Sequence, residues 1–155
     1  MSLYSIALFV HILGAVMLFV LLTIEGVALR QGFMAARLNR ILGPISALAI
    51  LVPGFYMVAS QWGWKGWVVA GLVSWVLIAV AGAATGVSVM AGRLSTRTAA
   101  VSWSVRIGMA LGVMFIMTVK PDLAVSTIVV VAGALVGGAA GSVAMRRLPF
   151  PEVPT

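Results

Sequence analysis

The first apolar run sets the terms for the whole chain. From Leu3 to Leu29 it reads LYSIALFVHILGAVMLFVLLTIEGVAL. A helix crosses the apolar core of a bilayer in about 20 mostly apolar residues, so this run is long enough to span. It holds the chain's only histidine, His11, and the only acid inside an apolar segment, Glu25. Four more runs of spanning length follow, at 41–60, 67–91, 100–119 and 123–145. The chain is 63% hydrophobic and 8% charged, against about 25% charged in soluble domains. The expected fold is all-α: a polytopic transmembrane helical bundle of five spans, four core helices plus one. Residues 1–148 form a single transmembrane domain. Residues 149–155, with Pro149, Pro151 and Pro154, form a proline-rich tail.

A net charge of +7 would suit nucleic acid if it were clustered on one polar face. Here the basic residues are scattered between apolar runs, so nucleic acid is not an expected partner and the lipid bilayer is. Their order along the chain carries topology. Arg30, Arg37 and Arg40 lie between the first and second runs. Arg93 and Arg97 lie between the third and fourth, with Arg106 just inside the fourth, and Arg146 and Arg147 follow the fifth. The other two connections hold Lys65 and Lys120. Five alternating spans put every arginine on one side and both lysines on the other. The positive-inside rule then gives an outside N-terminus and a cytoplasmic C-terminus, in a bacterial inner membrane. Trp62, Trp64 and Trp67, with Tyr4 and Tyr56, mark the outer interface, and Trp103 the inner one. No cleavable signal peptide is expected, because a basic leading segment is missing and the first apolar run is too long.

There is no cysteine, which excludes disulfides, thiolate metal sites and a cysteine nucleophile. No Ser–His–Asp set, phosphate loop or zinc motif can be read, so no catalytic residue is assigned. The polar groups inside the spans therefore carry the question of function. His11 and Glu25 are fourteen residues apart, which places them on one helix face but about 21 Å apart along the axis. They belong to different sites. Glu25 is expected to pair with Arg106 as a structural ion pair between the first and fourth spans. An arginine neighbour favours the charged carboxylate and makes it a poor proton relay.

His11 has two readings. It is a buried neutral imidazole bonded to a neighbouring helix, or it is a ligand to haem or copper. A second ligand would come from Met114 or Met117 in the fourth span, from Lys120, from Met57, or from another subunit. Pro53 falls inside the second span and is expected to kink it, freeing the carbonyl of Ala49. Gly82 with Gly86, Gly108 with Gly112, and Gly133, Gly137 and Gly141 form GxxxG patterns. These are expected to be helix-packing seams, within the bundle or between subunits. Val119-Lys120-Pro121-Asp122 reads as a tight hairpin between the last two spans.

Three stretches carry a resemblance: VHILGAVMLFVLLTIEG at 10–26, GPISALAILVPGFYM at 43–57 and MFIMTVKPDL at 114–123. Together they resemble a bacterial family of integral membrane proteins of unknown function. That family is distantly similar to the copper-resistance-protein-D-like and HemJ-type membrane proteins. The resemblance implies a helical bundle whose first-helix histidine handles haem or copper, and His11 is the residue that carries over. HemJ-type proteins are taken to oxidise protoporphyrinogen with haem, using a first-helix histidine and a lysine. Lys120 follows the fourth span instead of lying deeper in the bundle, a departure that argues against an enzyme. Three functions stay open. The first is a non-enzymatic accessory or assembly subunit that packs through its small-residue faces against other subunits or a second copy. The second is a haem- or copper-handling redox protein centred on His11. The third is a small transporter gated at Pro53.

Overall fold

The computed structural model describes residues 2–31 and 36–147, all of them helical or in short connections. The proline-rich tail assigned to 149–155 lies outside the described residues. The elements are α1 (Leu3–Gln31), α2 (Ala36–Met57) continued by a π-helical turn (Val58–Trp62), α3 (Gly66–Met90), α4 (Thr96–Val119) and α5 (Leu123–Arg147). Five helices are long and apolar enough to cross a membrane, as expected of a multi-pass membrane protein.

One helix overshoots its apolar run where a polar residue caps it. α4 starts at Thr96, well before the apolar run, because Ser95 caps it: its hydroxyl accepts from the Thr98 N–H at 3.2 Å. A cap of this kind satisfies a backbone donor that the first turn leaves free. Asp122 does the same for α5, accepting from Val125 N–H at 2.9 Å. α2 continues through both Pro44 and Pro53 and widens into the π-helical turn only afterwards. Gly63 N–H closes that turn on the Val58 carbonyl at 2.8 Å.

The helices run alternately up and down. At one end Leu29, Ala99, Ala100 and Met145 form a buried cluster that joins α1, α4 and α5, with Val89 of α3 packed against it. At the other end Tyr4, Trp62 and Trp67 meet edge to face. The first is called here the arginine end and the second the tryptophan end. α1 pairs with α2, and α3, α4 and α5 pack together. The two groups meet chiefly through α1 against α4.

Backbone proximity differs between the seams. Between α4 and α5 a Cβ on Gly108 or Gly133 would overlap the other's carbonyl, and one on Gly112 would stand 3.0 Å from the Val130 Cα. Gly137 and Gly141 close on Ser104 in the same way. Five of the seven expected packing glycines are thus consumed inside the chain, where only hydrogen lets two backbones touch. Gly82 and Gly86 do not meet another helix's backbone. Gly82 gives room to the Arg106 guanidinium, with a Cβ there 3.0 Å from Nη1, and Gly86 faces open space. The α1–α2 seam uses glycines outside those patterns: a Cβ on Gly14 would stand 2.8 Å from the Ala49 carbonyl carbon.

Candidate functional site

His11 sits on α1 against the turn of α2 that precedes Pro53. Its Nδ1 is 2.8 Å from the Ile50 carbonyl oxygen. A carbonyl only accepts, so Nδ1 carries the proton and Nε2 keeps its lone pair. Among the described residues Nε2 has no hydrogen-bond partner. Pro53 takes away the donor that the Ala49 carbonyl would use, one residue before this one, while α2 stays α-helical through it. The bond falls one residue beyond the Ala49 carbonyl that sequence singled out. Gly54 leaves space for the ring, since a Cβ there would stand 3.3 Å from Nδ1. Nearby, the buried Ser46 hydroxyl donates to the Gly14 carbonyl at 2.9 Å. A hydrogen bond with nothing apolar to replace it and no water to compete fixes α1 against α2 in one register.

The imidazole lines a cavity of about 500 Å³ between the α1–α2 pair and helices α3 and α4. Its walls are overwhelmingly apolar, and it runs from Ile78 and Ala110 at mid-bundle to Tyr4, Trp62, Trp67 and Lys120 at the tryptophan end. Small-molecule sites span about 300–1,000 Å³ and combine apolar walls with a few placed polar groups. This cavity has that composition, and His11 is its one imidazole.

The other expected ligands are placed unequally. Met117 lines the cavity, but its terminal methyl is seated on Gly71 of α3. Met114 also borders the cavity and is 55% exposed on the bundle surface. Met57 is fully buried and does not line the cavity. Lys120 lies at the mouth, with its ammonium 5.4 Å from the Trp62 ring centroid and 5.6 Å from that of Trp67. Among the described residues no group of three or more histidine, cysteine or acidic side chains could hold a metal ion.

Glu25 and Arg106 meet at a distance from this cavity, toward the arginine end. The pair is bidentate: Nη1 donates to Oε2 at 3.0 Å and Nη2 to Oε1. Arg106 is 3% exposed, and its Nε has no partner among the described residues. Two parallel charge-assisted bonds fix geometry as well as energy. Beside the pair, the Trp103 indole N–H donates to the Leu22 carbonyl at 2.6 Å, and its ring fills the notch left by Gly26. Trp103 is therefore a packing piece between α1 and α4.

Sequence reasoning missed the Ile50 carbonyl, the Ser46–Gly14 bond and the stacking of Lys120 on two indoles. The first had a signal in Pro53, displaced by one residue. The other two depend on which helices become neighbours. Comparison with protein-family models, with curated proteins and with solved structures finds no match to this chain.

Proposed function

We propose that this chain is a non-enzymatic membrane protein that holds an apolar prosthetic group, with haem as the leading candidate, in the cavity lined by His11. The observation that carries this reading is the Nδ1 bond to Ile50. Histidines that ligate a metal usually give their other N–H to a carbonyl or carboxylate, which fixes tautomer and ring orientation. His11 has that arrangement in advance, with a free Nε2 in an apolar cavity. His11, through Nε2, is the residue that would hold haem in such a site, and the group would supply electron transfer or be stored there. The chain's own residues hold and orient: Ile50 fixes the ring, Gly54 admits it, and the apolar walls exclude water.

Copper fits the residues less well. Copper(I) favours a set of soft sulfur and nitrogen ligands, and here one imidazole is joined by a methionine whose methyl is packed on Gly71. The accessory-subunit reading through small-residue faces loses most of its surface, because five of those glycines are used between α4 and α5. A transporter gated at Pro53 would be expected to line its path with ionisable groups, and the paired Glu25 is separate from the cavity.

The sorting of charges supports an orientation for the same reading. Arginine-bearing helix ends face the cytoplasm of a bacterial inner membrane, and the N-terminus with the tryptophan end faces outward. Gentle purification followed by an absorption spectrum and metal analysis tests the proposal. A Soret band with about one iron per chain, lost in His11→Ala while the elution volume is unchanged, is the expected result. A colourless, iron-free protein that also takes up no added hemin would overturn it.

A further inference from the structure

The tryptophan end holds a second cavity, of about 330 Å³, lined by Trp62, Lys65, Trp67, Lys120 and Asp122 among others. It shares Trp62, Trp67 and Lys120 with the apolar cavity. The two therefore abut, one mixed in polarity and one apolar. Lys65 and Lys120 bring two ammonium groups to the smaller one. Neither makes an ion pair among the described residues, where the only such pair is Arg106 with Glu25. Asp122 is the one carboxylate on the rim; it caps α5 through Val125 N–H, and its single negative charge leaves the two lysines in excess.

Lys120 is also the only non-glycine residue with positive φ among the described residues, at φ 56°. It ends α4 in the left-handed conformation, where glycine is the easier residue. A non-glycine residue there is strained and persists where the surrounding structure holds it. What holds this one is its ammonium lying against the faces of Trp62 and Trp67. The strain places a cation on the line where the polar and apolar cavities join.

We infer that the ligand of this double cavity is an amphiphile with an anionic head, its carboxylate held by Lys120 and Lys65 and its apolar body lying toward His11. The inference rests on the cavity being a ligand site, as proposed above, and adds which chemical class it takes and which end enters first. A carboxylate beside two ammonium groups at the edge of a low-dielectric cavity gains ion pairing, with both donor and acceptor charged, where a neutral ester offers only a carbonyl acceptor. A porphyrin carboxylate and a fatty-acid carboxylate share that chemistry.

Two probe pairs separate these sources: hemin against hemin dimethyl ester, and palmitate against methyl palmitate. Each is titrated into the detergent-purified full chain and followed by quenching of the Trp62 and Trp67 emission or by competition with a quenching probe. The acid of at least one pair should bind about tenfold or more tighter than its ester. Lys120→Gly should erase most of that preference, and Lys120→Gly with Lys65→Gln all of it. Glycine takes the left-handed conformation without strain, so the loss would not come from unfolding. Lys120→Arg should retain the preference.

Acid and ester binding alike in both pairs would overturn the inference, as would failure of every probe to bind, or a preference that survives in the double variant. Hemin bound through His11 with no preference over its ester would leave the haem reading standing and remove this one. Palmitate discriminated and hemin rejected would do the reverse.

Discussion

At the arginine end, α4 is tied to each of three neighbours by polar side chains. Arg106 holds Glu25 of α1, Ser102 meets Thr85 of α3 at 2.8 Å, and the Arg97 Nη2 donates to the Met145 carbonyl of α5 at 2.6 Å. Trp103 adds its bond to the Leu22 carbonyl. At the tryptophan end the joins between layers are aromatic edges and methyl groups: Trp62 on Trp67, and Val58 and Val68 with Met117 nearby. Its hydrogen bonds between helices, His11 to Ile50 and Ser46 to Gly14, both lie within the α1–α2 pair. One end of the bundle is therefore clamped and the other is parted around a cavity. In an apolar solvent, burying apolar surface gives helices little reason to close on each other. Directional contacts decide where they close. Where these are missing, space remains for a ligand.

The comparison can be broken most sharply at the clamp. Arg106→Leu leaves the half-buried Glu25 carboxylate unpaired, which should lower stability in detergent by somewhat less than the ~3–5 kcal/mol of a fully buried pair. Adding Glu25→Gln should recover part of the lost melting temperature, because the stranded charge is gone. A single variant as stable as the parent would mean that the pair clamps nothing. Next in size is the α4–α5 seam. Gly108→Val forces side-chain atoms into the Gly133 carbonyl, and should cost about 1–3 kcal/mol or separate the two helices. Proteolysis at the α4–α5 connection or a fall in melting temperature would reveal either result.

The open end should respond differently. Ser46→Ala removes one buried interhelical bond to Gly14, and should cost about 0.6 kcal/mol, the usual size of such bonds in membranes. Gly54→Leu should change melting temperature little and block ligand uptake, because the new side chain grows beside His11 at the cavity wall. Unchanged uptake in that variant would move the ligand away from His11. Trp64 is 65% exposed, and Trp64→Ala should change stability by less than about 0.5 kcal/mol. A large loss there would show that the tryptophan end is held more firmly than its contacts indicate.

The sequence by itself determined the class of fold. Five apolar runs, each long enough for a bilayer and parted by short polar connections, leave a helical bundle as the only way to satisfy the backbone. It also determined the sorting of arginines and lysines to opposite ends, since alternating helices allow one arrangement. Glu25 and Arg106 could be matched across 81 residues because an acid and an arginine inside apolar runs at similar depth have few other partners. Helix ends were unevenly legible: α5 starts at Leu123, where its apolar run does, while Ser95 starts α4 at Thr96, ahead of the run at 100.

Only the tertiary structure decided which helices became neighbours, and with that the tautomer of His11, the use of the glycines and the cavity. Glycine patterns show that a helix can approach another closely but do not name the partner. So Gly108 and Gly133 found each other, while Gly82 received a guanidinium. A histidine in an apolar run says that some acceptor lies close by. That the acceptor is the Ile50 carbonyl, leaving Nε2 free, depends on α2 lying against α1 with its Pro53 turn at the depth of His11. Lys120 likewise read as a surface charge until the turn that ends α4 set it against Trp62 and Trp67. Depth in the bilayer is encoded locally, by the length and polarity of each run. Rotation about the helix axis and choice of neighbour are not, because they are fixed by contacts between residues far apart in the chain.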